Sequence, residues 1–342
     1  MEILNNLKSK AILKIREYIL KKIYSCRKPM TNFSIVQNAL LKNKFFFKFL
    51  ATHEREIAHG IIGEYTDTMG KVYFSYFKEY ISKLSKLIYE DLPDKDDLLG
   101  NDETAKNKST SLFSLKSTTT MKQRSNVFAL GNRESLLNDD LEASLIVPHV
   151  AVKSEAKYSV ESIFRSIQFA FLDNACREYL FISEFFMANQ KRSLDFFNSI
   201  YNKTLDLLYK NIDEQFLRSY DAIALFTCLH IVYRYRMIAL KRNVTVLNSF
   251  WERIVRTLWP QFEKVFVMHI ESIKLCDLNK MGAIDNRPHV ITRRYAEFSA
   301  AIMIINDTFP DERVSNLLSI LQVCGRTFSN IFSFLIFYFF PE

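Results

Sequence analysis

The 342-residue sequence predicts an all-α protein, and three features point to this fold class. Glycine and proline are depleted, with 7 of each, whereas about 7% glycine and 5% proline are usual. Because β-sheets depend on such residues for their turns, this depletion favours long helices joined by few loops. Apolar residues make up 48% of the chain and recur at helical spacings, which predicts packed amphipathic helices.

The first predicted unit is a helical bundle over residues 1–90. Pro29 ends its first helix, because proline disfavours the α conformation in the residue before it. Asn32 or Ser34 is placed to cap the next helix. Residues at spacings of three and four define one apolar face of the first helix: Ile12, Ile15, Ile19 and Ile23. A later run predicts one long amphipathic helix: Val72, Tyr73, Tyr76, Phe77, Tyr80, Ile81, Leu84 and Leu87.

Residues 91–157 differ in composition from the regions on either side and are predicted to be a flexible linker. They are rich in Ser, Thr, Asp and Lys and contain few periodic apolar residues. Such a segment buries little surface to offset the entropy of ordering. Within it, the apolar island LEASLIVPHV, residues 141–150, is expected to dock onto a helical unit.

The second predicted helical bundle covers residues 158–325. The pattern from Asp221 to Leu240 is apolar on more than one face, so we expect this helix to be buried between others. The next helix, Asn248 to Val267, contains Pro260, which is expected to interrupt or kink it.

The last segment, residues 326–342, is a divergent apolar tail. Its apolar run from Ile331 to Phe340 is shorter than the ~20 residues that a membrane-spanning helix needs. We expect the start of a helix cut short by a truncated gene model or an alternative exon. The other interpretation is a segment that lies in a membrane interface.

No arrangement of side chains predicts catalysis or metal binding. His53 and His59 are six residues apart, whereas two zinc-binding histidines on one helix face need a spacing of four. Cys228 and His230 are two apart and point to different sides of a helix, so neither activates the other. The acidic run at 94–97 lacks the glycine and terminal glutamate of a calcium loop. We therefore predict that the protein is not an enzyme and takes no cofactor and no metal.

The net charge and the cysteine content limit the kinds of partner and the cellular compartment that the sequence predicts. The net charge is +8 and the isoelectric point is about 9.1, which suits nucleic acid, anionic membranes or acidic proteins. The charge is spread along the chain without a basic stripe, so we predict no nucleic-acid partner. Five widely spaced cysteines without a C-x-x-C pair predict neither disulfides nor a zinc ribbon. The charged N-terminus shows no signal-peptide pattern, so we expect reduced thiols in the cytosol.

The stretch RPHVITRRYAEFSAAIMIINDTFPDERV, residues 287–314, places two arginines within a helical pattern. Pro288 suits the first turn of this helix, and a corner at 306–310 is expected to separate it from the next. Arg293 and Arg294 lie four and three residues before Glu297, so both pairs can form ion pairs on the outer face. The alternative is contact with a partner's carboxylates or a lipid phosphate. One apolar face runs along this helix: Ile291, Tyr295, Phe298, Ile302 and Ile305.

Several segments resemble, in order, a family of subunits of tethering complexes. The family is vacuolar protein sorting subunit fifty-two of the Golgi-associated retrograde protein (GARP) and endosome-associated recycling complexes, and the resemblance covers roughly residues 12 to 323. The segments are RPHVITRRYAEFSAA, KIREYILKKIYSCRKPMTNFSIVQNALLKNKFFFKFL, DKDDLLG, LEASLIVPH, DNACREYLFISEFF and SYDAIALFTCLHIVYRYRMIALKRNV.

This resemblance implies an elongated helical-rod tether made of successive helical bundles, which acts without catalysis. It implies a role in capturing endosome-derived carriers at the trans-Golgi network, on the cytosolic face of the Golgi and endosome membranes. The implied partners are the sister subunits, a Golgi Rab-family GTPase and SNARE proteins. Compared with the family pattern, the chain is expected to lack the N-terminal coiled coil and the C-terminal end.

Two basic sites are candidates for contact with acidic partners or Golgi lipids. They are the pairs Arg293 with Arg294 and Lys241 with Arg242, which are expected to lie on exposed helix faces. An alternative function is that of a peripheral membrane-binding helical protein that uses the basic faces and the apolar tail.

Overall fold

A computed structural model describes residues 2–29, 31–90, 92–101, 127–138, 145–276 and 289–339, with side chains of the last helix described as far as Phe328. Within these residues there are twelve α-helices, one 3₁₀ turn and no β-strand. The nearest approach to a sheet is an isolated parallel bridge between Ile88 and Tyr158. The predicted all-α fold class is confirmed.

The helices follow one another in chain order. The first six are α1 (Glu2–Ser25), α2 (Phe33–Lys42), α3 (Lys44–His53), α4 (Arg55–Ser85), α5 (Ser135–Asn138) and α6 (Pro148–Lys153). The other six are α7 (Val160–Phe185), α8 (Gln190–Phe216), α9 (Ala222–Lys241), α10 (Asn248–Lys274), α11 (Val290–Thr308) and α12 (Glu312–Phe339).

The predicted apolar face of α1 faces the core. Ile12, Ile19 and Ile23 are buried there, and Ile15 is partly buried against the same cluster. The helix ends at Ser25, ahead of Pro29. Of the two predicted caps for α2, Asn32 has this role, because its side-chain oxygen accepts a hydrogen bond of 3.0 Å from the backbone N–H of Ser34.

The long helices α4 and α8 pack against each other and join the two predicted bundles. The rings of Tyr73 and Tyr201 stack between them, with centroids 4.8 Å apart. Gly70 lets the backbones approach, since an added Cβ would lie 3.2 Å from the carbonyl oxygen of Ile200. A single cluster of buried apolar residues extends from Ile12 to Phe328. The division of the chain into four domains stays a prediction.

Helix α9 is the most deeply buried long helix of the second predicted bundle. It contacts α7, α10 and α11, and its residues from Ala222 to Val232 are all buried. In the described part of the chain it is the one helix long and apolar enough to cross a membrane, and most of it is covered by other helices. The prediction of a helix buried between others is confirmed.

The region predicted to be a flexible linker contributes to the core. Leu99, Phe128, Leu130, Leu137 and Ala151 are buried against the helices. The expectation of a flexible linker is therefore wrong for 92–101, 127–138 and 151–157, whereas Leu145 and Ile146 pack against the core as expected for the docking island. Residues 102–126 and 139–144 lie outside the described part, and the latter range includes the first four residues of the predicted docking island.

Two further expectations concern the C-terminal helices. Pro260 lies inside α10, which continues through it without interruption. The predicted corner at 306–310 is present between α11 and α12, where the side-chain oxygen of Asn306 accepts a hydrogen bond of 3.0 Å from the N–H of Asp311. Pro288 lies outside the described residues, and the backbone of α12 continues through the predicted tail to Phe339.

Candidate interaction surfaces

The two arginines of α11 have different environments. Arg293 is exposed. Arg294 is half-buried: its Nη1 donates a hydrogen bond of 2.7 Å to the carbonyl oxygen of Asn101, and its guanidinium lies 5.2 Å from the centre of the Phe128 ring. Neither arginine forms an ion pair with Glu297 among the described contacts, so the predicted pairs on the outer face are wrong. Arg294 holds the docked 92–101 and 127–138 segments on α11.

In the second predicted basic site, too, one residue is exposed and the other forms contacts within the fold. Lys241 is exposed at the end of α9. Arg242 forms an ion pair of 3.3 Å with Asp173 of α7, and about a quarter of its side chain remains accessible, at 27%. The expectation of a wholly exposed basic face is therefore wrong at Arg242 as at Arg294. No described contact joins the two sites, and their role in binding partners or lipids stays a prediction.

A buried carboxylate joins three helices. Glu178 of α7 accepts hydrogen bonds from Tyr65 Oη at 2.7 Å, Tyr73 Oη at 2.9 Å and Gln37 Nε2 at 2.8 Å. Burial raises the pKa of Glu178 to about 7, while the hydrogen bonds from Tyr65, Tyr73 and Gln37 oppose that shift. Sequence reasoning missed this cluster. Its signal was a glutamate on the apolar face of α7, four residues before Ile182.

A second buried ionic cluster holds the segment 127–138. Arg133 contacts Asp221 at 2.8 Å and Glu161 at 3.3 Å. Burial alone lowers the pKa of Arg133, but the carboxylates of Asp221 and Glu161 raise it above its ordinary value. One guanidinium faces two carboxylates, and burial raises the pKa of the Glu161 carboxyl group above its ordinary value. Because Arg133 is tied to both α7 and α9, the cluster acts as a structural anchor.

The residues considered for catalysis serve the core. Cys228 is buried, and burial raises the pKa of its thiol well above the ordinary value, which makes it a poor nucleophile. Burial lowers the pKa of His230 to about 4, and its ring packs edge-on against Phe226 at 4.6 Å. Throughout the described ranges, no group of three His, Cys, Asp or Glu side chains is arranged to hold a metal ion.

A groove of about 990 Å³ lies beside α4, where sequence analysis placed no site. One wall is the connection between α1 and α2, and the opposite wall is the segment 145–149. The face of α4 that runs from Thr68 to Lys83 forms its floor. Helical periodicity placed Val72, Tyr76 and Tyr80 on the apolar face of α4, and the packed neighbours leave part of that face open as the floor of the groove.

The fold and the surfaces together define the class of protein: an all-α protein built from long packed helices, whose buried carboxylates Glu161 and Glu178 are held by contacts within the fold. Comparison with known families identifies it further. Residues 67–331 match the family described as Vps52, C-terminal, and residues 1–50 match the coiled-coil part of the Vps52/Sac2 family. The chain belongs to the Vps52 family. It includes part of the coiled-coil region that we expected to be missing.

Curated relatives come from animals, plants and fungi. The chain is 47% identical to the human vacuolar protein sorting-associated protein 52 homolog over 322 residues, which is 94% of this chain and 44% of that protein. It is 35% identical to the Caenorhabditis elegans homolog over 94% of this chain and 46% of that protein. For the Schizosaccharomyces pombe protein the identity is 26%, over 89% of this chain and 59% of that protein. The chain thus spans less than half the length of its animal relatives. No solved structure matches it.

Proposed function

We propose that this chain is a subunit of a multisubunit tethering complex, of the GARP type, for retrograde transport from endosomes to the trans-Golgi network. It acts through protein–protein contact without catalysis. Membership of the Vps52 family supports this proposal, since the relatives are named for vacuolar protein sorting. The proposed partners are the sister subunits, a Golgi Rab-family GTPase and SNARE proteins. The proposed location is the cytosolic face of the trans-Golgi network and endosomes, as a peripheral membrane protein.

The observation that supports assembly most directly is the exposed apolar surface of α1. Ile3, Leu4 and Leu7 are 78%, 66% and 60% exposed. Each residue from Glu2 to Ala11 is exposed, so the core does not cover the apolar side chains in these first turns of α1. The same part of the chain matches the coiled-coil region of the family, and coiled-coil helices bury such residues against a partner helix.

Substitution of Leu4 and Leu7 by lysine tests this assembly surface. We expect the L4K/L7K variant, tagged and captured from cells, to recover at least about tenfold less of the sister subunits, because charges replace buried anchors of the interface. Mass spectrometry of the captured material gives the measurement, and circular dichroism confirms that helicity is unchanged. Ile35→Lys is the control, since Ile35 is equally exposed, at 67%, but lies on α2.

Two results would count against the proposal: the first rejects the function as a subunit, and the second rejects α1 as the assembly surface. One is capture of the native chain without any sister subunit. The other is equal recovery of the subunits by L4K/L7K and by Ile35→Lys, which would show that the apolar surface of α1 contributes nothing to assembly.

A further inference from the structure

The groove beside α4 has a rigid aromatic floor. Tyr76 is 39% exposed, and its ring stacks on Tyr80, with centroids 5.9 Å apart and planes at 10°. The Tyr80 hydroxyl lies 2.8 Å from Ser166 Oγ and donates a hydrogen bond of 3.0 Å to the carbonyl oxygen of Ile146. Because Tyr80 is fixed at its far end, Tyr76 presents a pre-ordered aromatic surface to the groove, and rigid aromatic rings are favoured anchors in interfaces.

The wall formed by residues 145–149 is apolar except for His149, and it is also fixed. The N–H of Ile146 donates a hydrogen bond of 2.8 Å to Ser166 Oγ, so both backbone polar groups of Ile146 are satisfied within the protein. Val147 follows with 45% of its surface exposed. A ligand in the groove therefore meets apolar side chains on this wall.

The rim of the groove is basic. Among its described lining residues, four are lysines or arginines and one is a carboxylate, Glu79. Glu79 forms an ion pair with Lys83, and Arg27 is committed to Thr68 and Glu64. Lys28 and Lys71 are exposed, and no described contact pairs either ammonium group. Two uncompensated cations thus flank the apolar floor, which makes the groove complementary to an acidic ligand.

We propose that this groove binds a short acidic segment of a partner protein, with an aliphatic or aromatic side chain against Tyr76 and carboxylates at Lys28 and Lys71. The inference rests on the proposed function, since it gives one of the protein contacts of the subunit a location and a chemistry. Between Lys71 and Lys83 the floor extends about 18 Å along the axis of α4, which is the length of a helical segment of about 12 residues. A concave apolar floor with a basic rim fits a peptide better than a flat bilayer surface does.

The chain itself contains an acidic sequence a few positions before the segment 145–149. Asp139, Asp140 and Glu142 precede the wall segment that begins at Leu145. If these residues filled the groove, their neutralisation would expose it to added ligands. The D139N/D140N/E142Q variant therefore distinguishes an internal occupant from a partner.

The experiment measures fluorescence anisotropy with the purified 342-residue chain. The probe is a labelled synthetic peptide of about 12 residues, with two leucines one helical turn apart and glutamates at the flanking positions. A peptide with lysine in place of every glutamate is the charge control, and vesicles with and without phosphatidylserine form the membrane arm. We expect saturable binding of the acidic peptide alone.

Variants locate that binding. Lys28→Glu with Lys71→Glu is expected to weaken it at least about tenfold, because repulsion replaces attraction at two positions. Tyr76→Ala is expected to weaken it by removing the anchor, and Lys78→Glu, an exposed position of α4 outside the groove lining, is expected to leave it unchanged. Unchanged melting temperatures show that the variants remain folded.

Four outcomes would overturn the proposal. One is that the acidic peptide does not bind, and another is that Lys78→Glu weakens its binding as much as the double lysine variant does. Binding that appears only in D139N/D140N/E142Q would indicate an internal occupant, and binding to anionic vesicles that depends on Lys28 and Lys71, without peptide binding, would indicate a membrane site. The proposed function is tested independently, by the recovery of sister subunits. That recovery depends on the apolar surface of α1, which the groove variants do not change.

Discussion

Glu178 shows how one buried residue connects stability to pH. Its carboxylate lies at the junction of α2, α4 and α7 and accepts hydrogen bonds from three side chains. Those bonds satisfy the oxygen atoms but do not replace full hydration of the charge, so the pKa remains raised to about 7. A raised carboxyl pKa means that the folded state binds the proton more tightly than the unfolded state does.

The first prediction concerns the pH dependence that follows. The contribution of Glu178 to the free energy of unfolding is fully present below pH 4.5, the ordinary carboxyl pKa, and is lost as pH rises to about 7. The loss is about 3 kcal/mol, from roughly 1.4 kcal/mol per pKa unit. Glu178→Gln should therefore remove this dependence.

Urea denaturation of the native chain and of Glu178→Gln across this pH range provides the measurement. The difference between the two proteins isolates Glu178, since His230 and His269, whose pKa values burial lowers to about 4, titrate equally in both. A difference that does not change with pH would contradict the prediction.

At the scale of elements, the segments around residues 92–101 and 127–138 are held by contacts from distant helices. The N–H of Gly100 donates a hydrogen bond of 2.9 Å to Ser272 Oγ of α10. Arg234 of α9 donates to the carbonyl oxygen of Leu137, and Arg133 joins Asp221 and Glu161. These polar contacts, together with buried Leu99 and Phe128, make the segments part of the packed structure.

The second prediction concerns the close approach of this region to α10. Gly100→Ala should destabilise the protein by about 1–3 kcal/mol, because an added Cβ would lie 2.0 Å from the carbonyl oxygen of Ser272 and force the backbone to move. Thermal or urea unfolding gives the measurement.

The matched control is Gly63→Ala within α4, where an added Cβ meets nothing within 4 Å. This substitution should stabilise the protein by about 0.5–1 kcal/mol, because alanine favours the helix more than glycine does. Equal effects of the two substitutions would show that residues 92–101 do not pack closely on α10.

At the scale of the whole molecule, one apolar core connects helices from both predicted bundles. Tyr73 of α4 stacks on Tyr201 of α8, and Phe47 of α3 packs against Phe185 of α7, with ring centroids 5.3 Å apart. Loss of either half would expose these surfaces in the other. The structure therefore favours cooperative unfolding of both halves.

The third prediction is a single unfolding transition detected by two separate probes. The two tryptophans, Trp251 and Trp259, both lie in α10 and report on the second predicted bundle. The thiol of Cys26, which is 3% exposed after the end of α1, reports on the first. Tryptophan fluorescence and the alkylation of Cys26, which is detected by mass spectrometry, should give the same urea midpoint. Alkylation of Cys26 at lower urea would instead support independent bundles.

Sequence periodicity predicted the elements well because it reflects local geometry. The buried face of α1, the Asn32 cap, the burial of α9 and the corner before α12 each depend on residues within a few turns of one another. The same reasoning failed at Arg294, whose hydrogen-bond partner is Asn101, 193 positions away. It also missed Glu178, whose partner Gln37 is 141 positions away.

By itself, the sequence determined the all-α class, the positions of the long helices and, through ordered resemblance, the family. Those properties follow from composition and short-range spacing, which a linear pattern records. The tertiary structure alone decided which charges are exposed, that Leu99 and Phe128 belong to the core, and that the face of α4 at Tyr76 is a groove. Each of these depends on side chains that folding brings together from distant parts of the chain.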